Sequence, residues 1–556
     1  MIIYQVYPRS FQDSNGDGIG DLSGITSRLS HIASLGKVDY VWISPFFASP
    51  MKDFGYDVSD FRSVDPIFGT NEDFDRLLAE ANKLGLKIMI DLVLCHTSNE
   101  HRWFKESSRD RDNPYADWYV WQDPKADGTP PNNWLSFFGG PAWHWESRRQ
   151  QYYLRHFLIE QPALNWYCAE VEDEICSTVS FWLEKGVKGF RLDAVVFAHH
   201  DTELKNNPPI AHPLPSKWKE DPFMYQERKY DCGQPAGLPA MAKIRSLVDE
   251  YEETLLLGEI SERPVARKYT GPKLLNSCYF FDFLSTDTLK KEMVQTTVGD
   301  IYSDFPLGDF FWALSNHDFA RHVTRLHPNK EHPSPAELKD FAKLTAALFL
   351  FLPGGYCLYQ GEEFGFPAAD LSYEHLVDPF DRFLWPNGQK RDLSRTPVPW
   401  NSGTKMGGFT TSDDTLLPVD SAQKAVASDT QETDSESVLN LYRTLIAWRQ
   451  EYHDKSFRLS FLENSGPLTG EDWNSQSDLL KIKIDVSKHE FVGIFNLSQT
   501  KYQTAIPHTS QVLFNHNAAA QDMNTDVWNF DQLGWAIFSL GKKQKNVSAH
   551  YSNLQK

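Results

Sequence analysis

Two periods organise the apolar and polar positions of this chain. Short apolar or β-branched runs recur at Ile2–Tyr7, Asp39–Ser44, Lys87–Leu94, Val187–Leu192, Thr254–Leu257, Ser277–Phe281, Phe310–Leu314 and Tyr356–Tyr359. Most are continuous and not alternating, as expected of parallel strands covered on both faces. Between many of them the period lengthens to that of a helix. In Asn71–Leu84, the side chains of Phe74, Leu77, Leu78 and Ala81 share one helical face, and Gly85 stops the run. Glu170–Lys185, ended by Gly186, behaves alike, as do Pro335–Leu350 and Glu436–Trp448. Eight β–α alternations predict an α/β fold, a (β/α)8 TIM barrel.

Two stretches break the rhythm. About ninety residues separate the third and fourth strands, far more than a βα connection needs. They are rich in Trp, Asn, Pro and Gly, as in Pro130-Pro131-Asn132-Asn133-Trp134. We therefore expect a small domain, 98–167, inserted into a barrel made of 1–97 and 168–456. A second loop-rich stretch, 364–435, follows the eighth strand. From 457 to 556 the pattern turns to β, with strands at Leu479–Val486 and Phe491–Phe495, which predicts a C-terminal all-β sandwich. The tail from Lys542 is polar and is expected to fray.

Composition narrows the partners. The 556 residues carry 55 basic and 75 acidic side chains, a formal charge of −20. Nucleic acid and anionic membrane surfaces select basic proteins, so neither is expected as a partner. No apolar run approaches the ~18 residues of a membrane span. The chain opens on Ile2-Ile3-Tyr4-Gln5-Val6-Tyr7 with no signal-peptide pattern, and its 6 cysteines include no CxxC pair. A cytoplasmic protein with reduced thiols is expected, as a monomer or weak homo-oligomer. Aromatic residues reach 14%. That suits either a large aromatic core or a cleft in which sugar C–H faces stack on rings.

Barrel enzymes carry their chemistry at the C-terminal ends of strands. Here those ends read Asp91-Leu92-Val93-Leu94-Cys95-His96, Gly189-Phe190-Arg191-Leu192-Asp193, Gly258-Glu259 and Asn316-His317-Asp318. One acidic residue after a strand is often only a helix cap. Three carboxylates, a guanidinium and two imidazoles around one mouth call for a reaction. No HxxxH or HExxH spacing supports zinc.

With these motifs the chain resembles glycoside hydrolase family 13, the α-amylase superfamily, in its α-glucosidase and oligo-1,6-glucosidase branch. Further matches are Tyr4-Gln5-Val6-Tyr7-Pro8-Arg9-Ser10-Phe11, Phe68-Gly69-Thr70, Gln360-Gly361-Glu362-Glu363 and Arg391–Pro397. The resemblance implies a retaining, exo-acting α-glucosidase acting on short oligosaccharides, with no cofactor for catalysis. It makes Asp193 the nucleophile, Glu259 the general acid/base and Asp318 the third catalytic carboxylate, holding the 2- and 3-hydroxyls. His96 and His317 would donate to the same sugar, and Arg191 would keep Asp193 ionised. Asp53 and Arg391 would grip the 4- and 6-hydroxyls of the terminal glucose, with Tyr56 stacked on its ring. Arg395 is either a second grip or a structural arginine of the same loop.

The loop Asp13–Asp21 offers oxygen donors at alternating positions, like the first half of a calcium loop. It is not an EF-hand, because the preceding segment is strand-like and its twelfth position is Gly24. In relatives the matching Asp13, Asn15, Asp17 and Asp21 side chains and the Ile19 carbonyl hold one structural Ca²⁺ or Mg²⁺. The alternative is a solvated acidic turn. Ala194, directly after the nucleophile, is small where the α-1,6-preferring branch has Val, which favours α-1,4 and sucrose-like substrates. Leu204–Pro209 is similar to proteobacterial α-glucosidases that also transfer glucose, so transglucosylation is expected. The alternatives are a sucrose-converting glucosyltransferase or isomerase, and an oligo-1,6-glucosidase. Cys95 and Ala163 depart from the family pattern, where Asn or Ser and Asp are usual.

Overall fold

The computed structural model of the chain describes residues 1–211, 221–306, 308–330, 332–388, 390–452, 457–462, 479–506, 510–521 and 527–540. Eight strands form its centre: β1 (Ile2–Val6), β2 (Tyr40–Ile43), β3 (Lys87–Val93), β4 (Gly189–Asp193), β5 (Leu255–Glu259), β6 (Ser277–Tyr279), β7 (Phe310–Ala313) and β8 (Gly355–Tyr359). Every pairing is parallel, and β8 returns to β1 to close the barrel. The strands coincide with the eight apolar runs, shifted by a residue or two. Asp193 and Glu259 end their strands instead of following them.

The lack of alternation has a visible cause. Ile3, Trp42, Met89, Leu257, Tyr279 and Phe311 point inward and fill the barrel. Their neighbours Tyr4, Val41, Ile43, Ile88, Ile90 and Leu256 face outward and join a second cluster under the helices. Both faces of each strand are therefore buried, and both must be apolar.

Helices α1 (Leu22–Ser34), α2 (Asn71–Lys83), α3 (Ala169–Lys185), α4 (Gly237–Val248), α5 (Lys291–Asp304), α6 (Pro335–Phe351) and α7 (Val438–Gln450) lie around the barrel. In α2 the four expected residues Phe74, Leu77, Leu78 and Ala81 are buried, and Thr70 with Asp73 forms a capping box. Gly186 ends α3 at φ 107°, a left-handed conformation that costs glycine little. A short helix, Pro8–Phe11, separates β1 from the 13–21 loop, where the sequence reads as strand.

The insertion after β3 contains a helix, Arg102–Ser107, and a small sheet of Trp121–Gln122, Gln151–Leu154 and Trp143–Glu146. Its exit is tied back to its entrance. His96 bridges Ala163, the Leu164 N–H donates to the Cys95 carbonyl (3.0 Å), and Trp166 Nε1 donates to the Leu94 carbonyl (2.7 Å). The inserted unit thus stands on the end of β3. The 204–207 segment docks on it, through Trp134 Nε1 to the Lys205 carbonyl (2.8 Å) and Asn133 Nδ2 to the Asn207 carbonyl (2.9 Å).

The C-terminal region is all-β. Strands β9 (Phe457–Phe461), β10 (Leu479–Val486), β11 (His489–Asn496), β12 (Tyr502–Ala505), β13 (Gln511–Ala520) and β14 (Val527–Leu540) make one antiparallel sheet. The expected sandwich is built from this single sheet among the described residues. Its long strand β14 pairs with β11 through Trp535–Leu540 and with β12 through Val527–Phe530. One face, carrying Ile482, Ile484, Phe491, Phe495, Trp535 and Ile537, belongs to the same core as the barrel helices. The other gathers Leu479, Val492, Ile494, Phe530, Ala536 and Phe538 into a core of its own. The expected fraying from Lys542 lies outside the described residues. No helix among the described residues is long and apolar enough to cross a membrane. All six cysteines are free thiols.

Arg449 of α7 fastens the last turn to the barrel. Its guanidinium donates to the carbonyls of Leu350 and Leu352 (both 2.6 Å) and of Gly354. Hydrogen bonds from a charged donor are worth about 1.5–3 kcal/mol each, and buried acceptors left alone are costly. Arg449→Met is expected to lower stability by about 3 kcal/mol, read as a drop in Tm. An unchanged Tm would show that the clamp is dispensable.

Candidate active site

One buried guanidinium organises the barrel mouth. Arg191 and Asp193 are two residues apart on β4 and so lie on the same face of the strand. Arg191 Nη1 donates to Asp91 Oδ1 (2.7 Å) and Asp193 Oδ1 (2.6 Å). Its Nη2 donates to the Tyr279 hydroxyl (2.9 Å) and lies 2.8 Å from Glu259 Oε1. The rings of Trp42, Tyr56 and Tyr279 surround it at 5.1, 5.9 and 5.9 Å.

Three carboxylates thus share one cation. Burial pushes Asp193 up to about 7 and Glu259 up to about 7; neighbouring carboxylates add to the rise and Arg191 opposes it. Asp91 rises to about 6 for the same reason. Their contacts differ. Asp193 takes a hydrogen bond directly from Arg191. Glu259 accepts the Ala194 N–H at Oε2 (2.9 Å) and the Tyr279 hydroxyl at Oε1 (3.3 Å). Ala194 sits at φ 44°, in the left-handed region that L-residues rarely occupy. That turn after the strand is what brings its N–H to Glu259.

Asp318 has a different environment. It lies 3.2 Å from Arg391 Nη2, 3.3 Å from Arg395 Nη2 and 3.5 Å from His317 Nε2. Burial alone would raise it, yet Arg391, Arg395 and Arg191 together hold it well below the usual carboxylate range. Asp378 anchors the two arginines from behind, at 2.9 Å from Arg395 and 3.6 Å from Arg391. Arg395 also donates from Nε to the His317 carbonyl (2.6 Å), so it braces the site as a structural arginine would.

The imidazoles are placed at the mouth but are not free donors. The His317 ring is stacked on Tyr56 (5.3 Å, 4°) and on Tyr7 (5.8 Å, 17°). Gln5 Nε2 meets its Nδ1 at 2.8 Å, and its Nε2 meets the Tyr56 hydroxyl at 2.5 Å. Tyr56 in turn donates to Asp91 Oδ2 (3.2 Å). His96 Nε2 lies 3.0 Å from the Tyr56 carbonyl and its Nδ1 3.1 Å from Cys95 Sγ. The expectation that both histidines donate to a sugar therefore meets protein partners already in place on each ring nitrogen. Arg391 forms its ion pairs with Asp318 and Asp378, and Asp53 feels its charge without such a contact. Asp53 instead accepts from Gln161 Nε2 (2.8 Å), and burial pushes it up to about 7.

Four contributors escaped the sequence reading. Asp91 showed one signal, a carboxylate in the middle of an apolar strand run. Gln161 reaches Asp53 and His96 from the insertion, and Asp378 and Tyr279 come from loop and strand positions without any local pattern.

The 13–21 loop folds into a chain of tight turns. Asp13 accepts the backbone N–H groups of Asn15, Gly16 and Gly18, Asn15 accepts that of Asp17, and Asp17 accepts that of Ile19. Asp21 caps α1 through the Gly24 N–H (2.7 Å) and binds Ser14. Among the described residues no three carboxylate, imidazole or thiol groups converge as a metal-holding cluster.

Known proteins resemble this chain. The family described as alpha amylase, catalytic domain, matches residues 5–456. A probable alpha-glucosidase of Rhizobium meliloti (strain 1021) is 47% identical over 84% of this chain and 85% of its own. An oligo-1,6-glucosidase of Heyndrickxia coagulans is 38% identical over 81% and 84%. Among solved structures, the alpha-glucosyl transfer enzyme XgtA superimposes with a TM-score of 0.86 at 40% identity, covering 97% of this chain and 98% of that one. The trehalulose synthase MutB from Pseudomonas mesoacidophila MX-45 gives 0.83 at 28%, covering 97% and 98%.

The raised carboxylates fix a sign for stability. A carboxyl whose folded pKa lies above its unfolded value, ~4, favours the fold fully below that value and loses the benefit as pH rises through the folded pKa. For Asp53, Asp91, Asp193 and Glu259 that window runs from about 4 to about 7. Tm is expected to fall across it, and Asp193→Asn to flatten part of the fall. A variant that tracks the wild type at every pH would contradict the raised Asp193. Asp91→Asn, which removes one buried partner of Arg191, should cost about 3 kcal/mol, measured as a Tm loss.

Proposed function

The chain belongs to the alpha-amylase family and is a glycoside hydrolase of the α-glucosidase kind, and from that premise we propose a retaining, exo-acting mechanism on terminal non-reducing α-glucosyl units. The observation that carries the reading is Asp193 and Glu259 on opposite nitrogens of one guanidinium. Two carboxyl groups tied that closely suit the ~5–5.5 Å separation of a retaining pair, not the wider gap that admits an inverting water.

Asp193 acts as the nucleophile. Its hydrogen bond from Arg191 favours the ionised form that attack requires. Glu259 keeps the proton and donates it to the leaving oxygen as Asp193 attacks the anomeric carbon. The resulting glucosyl–enzyme bond is then broken by water, whose proton returns to Glu259. Asp318, fully ionised between Arg391 and Arg395, holds the ring hydroxyls and offsets the positive charge that develops on the sugar. Asp53, Gln161 and Arg391 form the end that receives the terminal glucose, with His96, His317 and Tyr56 as its walls.

Small Ala194 beside the nucleophile supports α-1,4 and sucrose-like substrates. The covalent intermediate also supports transfer to sugars or alcohols, in keeping with the resemblance to an alpha-glucosyl transfer enzyme. A panel of maltose, isomaltose, sucrose, trehalose and maltotriose with product identification tests both. Isomaltose outrunning maltose would overturn the linkage reading, and isomerised disaccharide from sucrose would favour glucosyl transfer over hydrolysis.

The 13–21 loop fits a hard divalent cation in its chemistry, with Asp13, Asn15 and Asp17 side chains and the Ile19 carbonyl as oxygen donors. Asp13 and Asp21 already accept other donors, Asp13 from Asn15, Gly16 and Gly18 and Asp21 from Ser14 and Gly24, so both would exchange partners for the ion. A bound Ca²⁺ or Mg²⁺ would supply charge neutralisation and rigidity there, outside the reaction. Chelation is expected to lower Tm in the wild type and to leave Asp17→Ala unmoved; equal responses would overturn the site.

Glu259→Gln should reduce kcat on p-nitrophenyl α-glucoside about 10²–10⁴-fold. The wild-type pH profile should be bell-shaped. Its alkaline limb lies near 7, where Glu259 loses the proton it must donate, and that limb should vanish in the variant. NMR should show α-glucose released first; β-glucose first would end the retaining assignment.

A further inference from the structure

Cys95, just past the end of β3, is one of the two residues that depart from the family pattern, and nothing in the mechanism above uses it. Its backbone is held by the insertion, through the Leu164 N–H on its carbonyl (3.0 Å) and the bridge between His96 and Ala163. The residue has no exposure to water.

Its side chain meets the imidazole that follows it, with Sγ 3.1 Å from His96 Nδ1. Burial, reinforced by the charges of Asp193 and Glu259, pushes the thiol well above its ordinary pKa, so it keeps its proton. A protonated thiol is a donor, and its sulfur is only a weak acceptor.

His96 has one proton to place. Burial pushes its pKa down to about 4, so at neutral pH one ring nitrogen donates and the other accepts. The surroundings of Nε2 leave the choice open. It lies 3.0 Å from the Tyr56 carbonyl, which requires a donor, and 3.1 Å from Gln161 Nε2, which is one. The Gln161 amide is fixed in that sense, because its Oε1 accepts the Leu158 N–H (2.9 Å) and its Nε2 donates to Asp53 Oδ2 (2.8 Å). The group at Nδ1 therefore decides the tautomer.

We propose that Cys95 is a positioning residue for His96: its S–H donates to Nδ1 and thereby keeps the ring proton on Nε2. The inference rests on the reading of His96, Gln161 and Asp53 as part of the end that receives the terminal glucose. With its proton on Nε2, the imidazole is a donor that a sugar hydroxyl can take over from the Tyr56 carbonyl. With the proton on Nδ1, the same nitrogen becomes an acceptor for Gln161, and the wall loses that donor.

Neutron diffraction from deuterium-exchanged crystals of the unaltered protein reads the proton directly. Deuterium is expected on His96 Nε2 and on Cys95 Sγ, with none on His96 Nδ1. Cys95→Ala is expected to move the deuterium to Nδ1 and to lower kcat/KM on p-nitrophenyl α-glucoside about 10-fold. Cys95→Ser keeps an O–H donor and is expected to retain both the Nε2 deuterium and most of the activity. Deuterium on Nδ1 in the unaltered protein overturns the proposal, as does Cys95→Ala with an unmoved deuterium or an unchanged kcat/KM. Equal activity losses in both variants with the deuterium unmoved would mark a packing role and overturn it too. The proton is located without substrate, so this outcome is separate from the reading of the pocket, which fails if terminal non-reducing glucosides are not cleaved by the unaltered protein.

Discussion

Arg191 has no access to water, and a buried charge without partners costs several kcal/mol. Much of the barrel mouth follows from that single requirement. Asp91, Asp193 and Glu259 supply negative charge, Tyr279 takes a further N–H, and Trp42, Tyr56 and Tyr279 put aromatic faces around the guanidinium. These partners come from β3, β4, β5 and β6, with Trp42 from β2 and Tyr56 from the loop that follows it. A closed barrel is the construction that brings strands so distant in sequence to one point. Neither the cation nor its carboxylates could be buried alone.

The mouth therefore holds two electrostatic centres of different character. Around Arg191 the carboxylates outnumber the cation, and burial leaves Asp193 and Glu259 titrating near neutrality. Around Asp318 the cations outnumber the carboxylate they face, and it stays ionised. Environments that push carboxyl pKa values apart are how one site assigns acid, base and charge-stabilising roles to the same functional group. Asp378 separates the two regimes. By pairing with Arg395 and Arg391 it keeps those guanidiniums beside Asp318 and away from the proton-carrying pair.

Asp193, Glu259 and Asp318 were legible in the sequence because each lies where an apolar run stops, and a barrel turns that linear position into a shared mouth. Arg191 was legible through its two-residue spacing from Asp193. Asp91 was hidden by the same logic, because it lies inside its strand and not at the end. Gln161 and Asp378 sit on long connections, where no periodicity connects a residue to its three-dimensional neighbours. The contacts of Arg391 were hidden as well, since nothing in the sequence shows that Asp318 and Asp378 meet at one guanidinium. The single sheet of the C-terminal region was equally hidden, since alternation reports which faces are buried but not how many sheets provide them.

The wall formed by Gln5, His317, Tyr56 and Asp91 shows what this saturation means for binding. Burial keeps the His317 imidazole neutral, so one ring nitrogen carries a proton and the other accepts one. Gln5 on Nδ1 leaves the proton on Nε2, directed at the Tyr56 hydroxyl, which passes its own proton toward Asp91. The chain ends on the carboxylate that shares Arg191 with Asp193. A sugar hydroxyl that takes the Nε2 proton must displace Tyr56, and the displaced tyrosine must find another acceptor. Such an exchange discriminates more sharply than filling an unused donor, because a ligand lacking that hydroxyl leaves buried polar groups unpaired. The same exchange alters the field at Asp91, and through Arg191 at Asp193. In the proposed mechanism, recognition of the glucose ring and ionisation of the nucleophile are thereby parts of one hydrogen-bonded system.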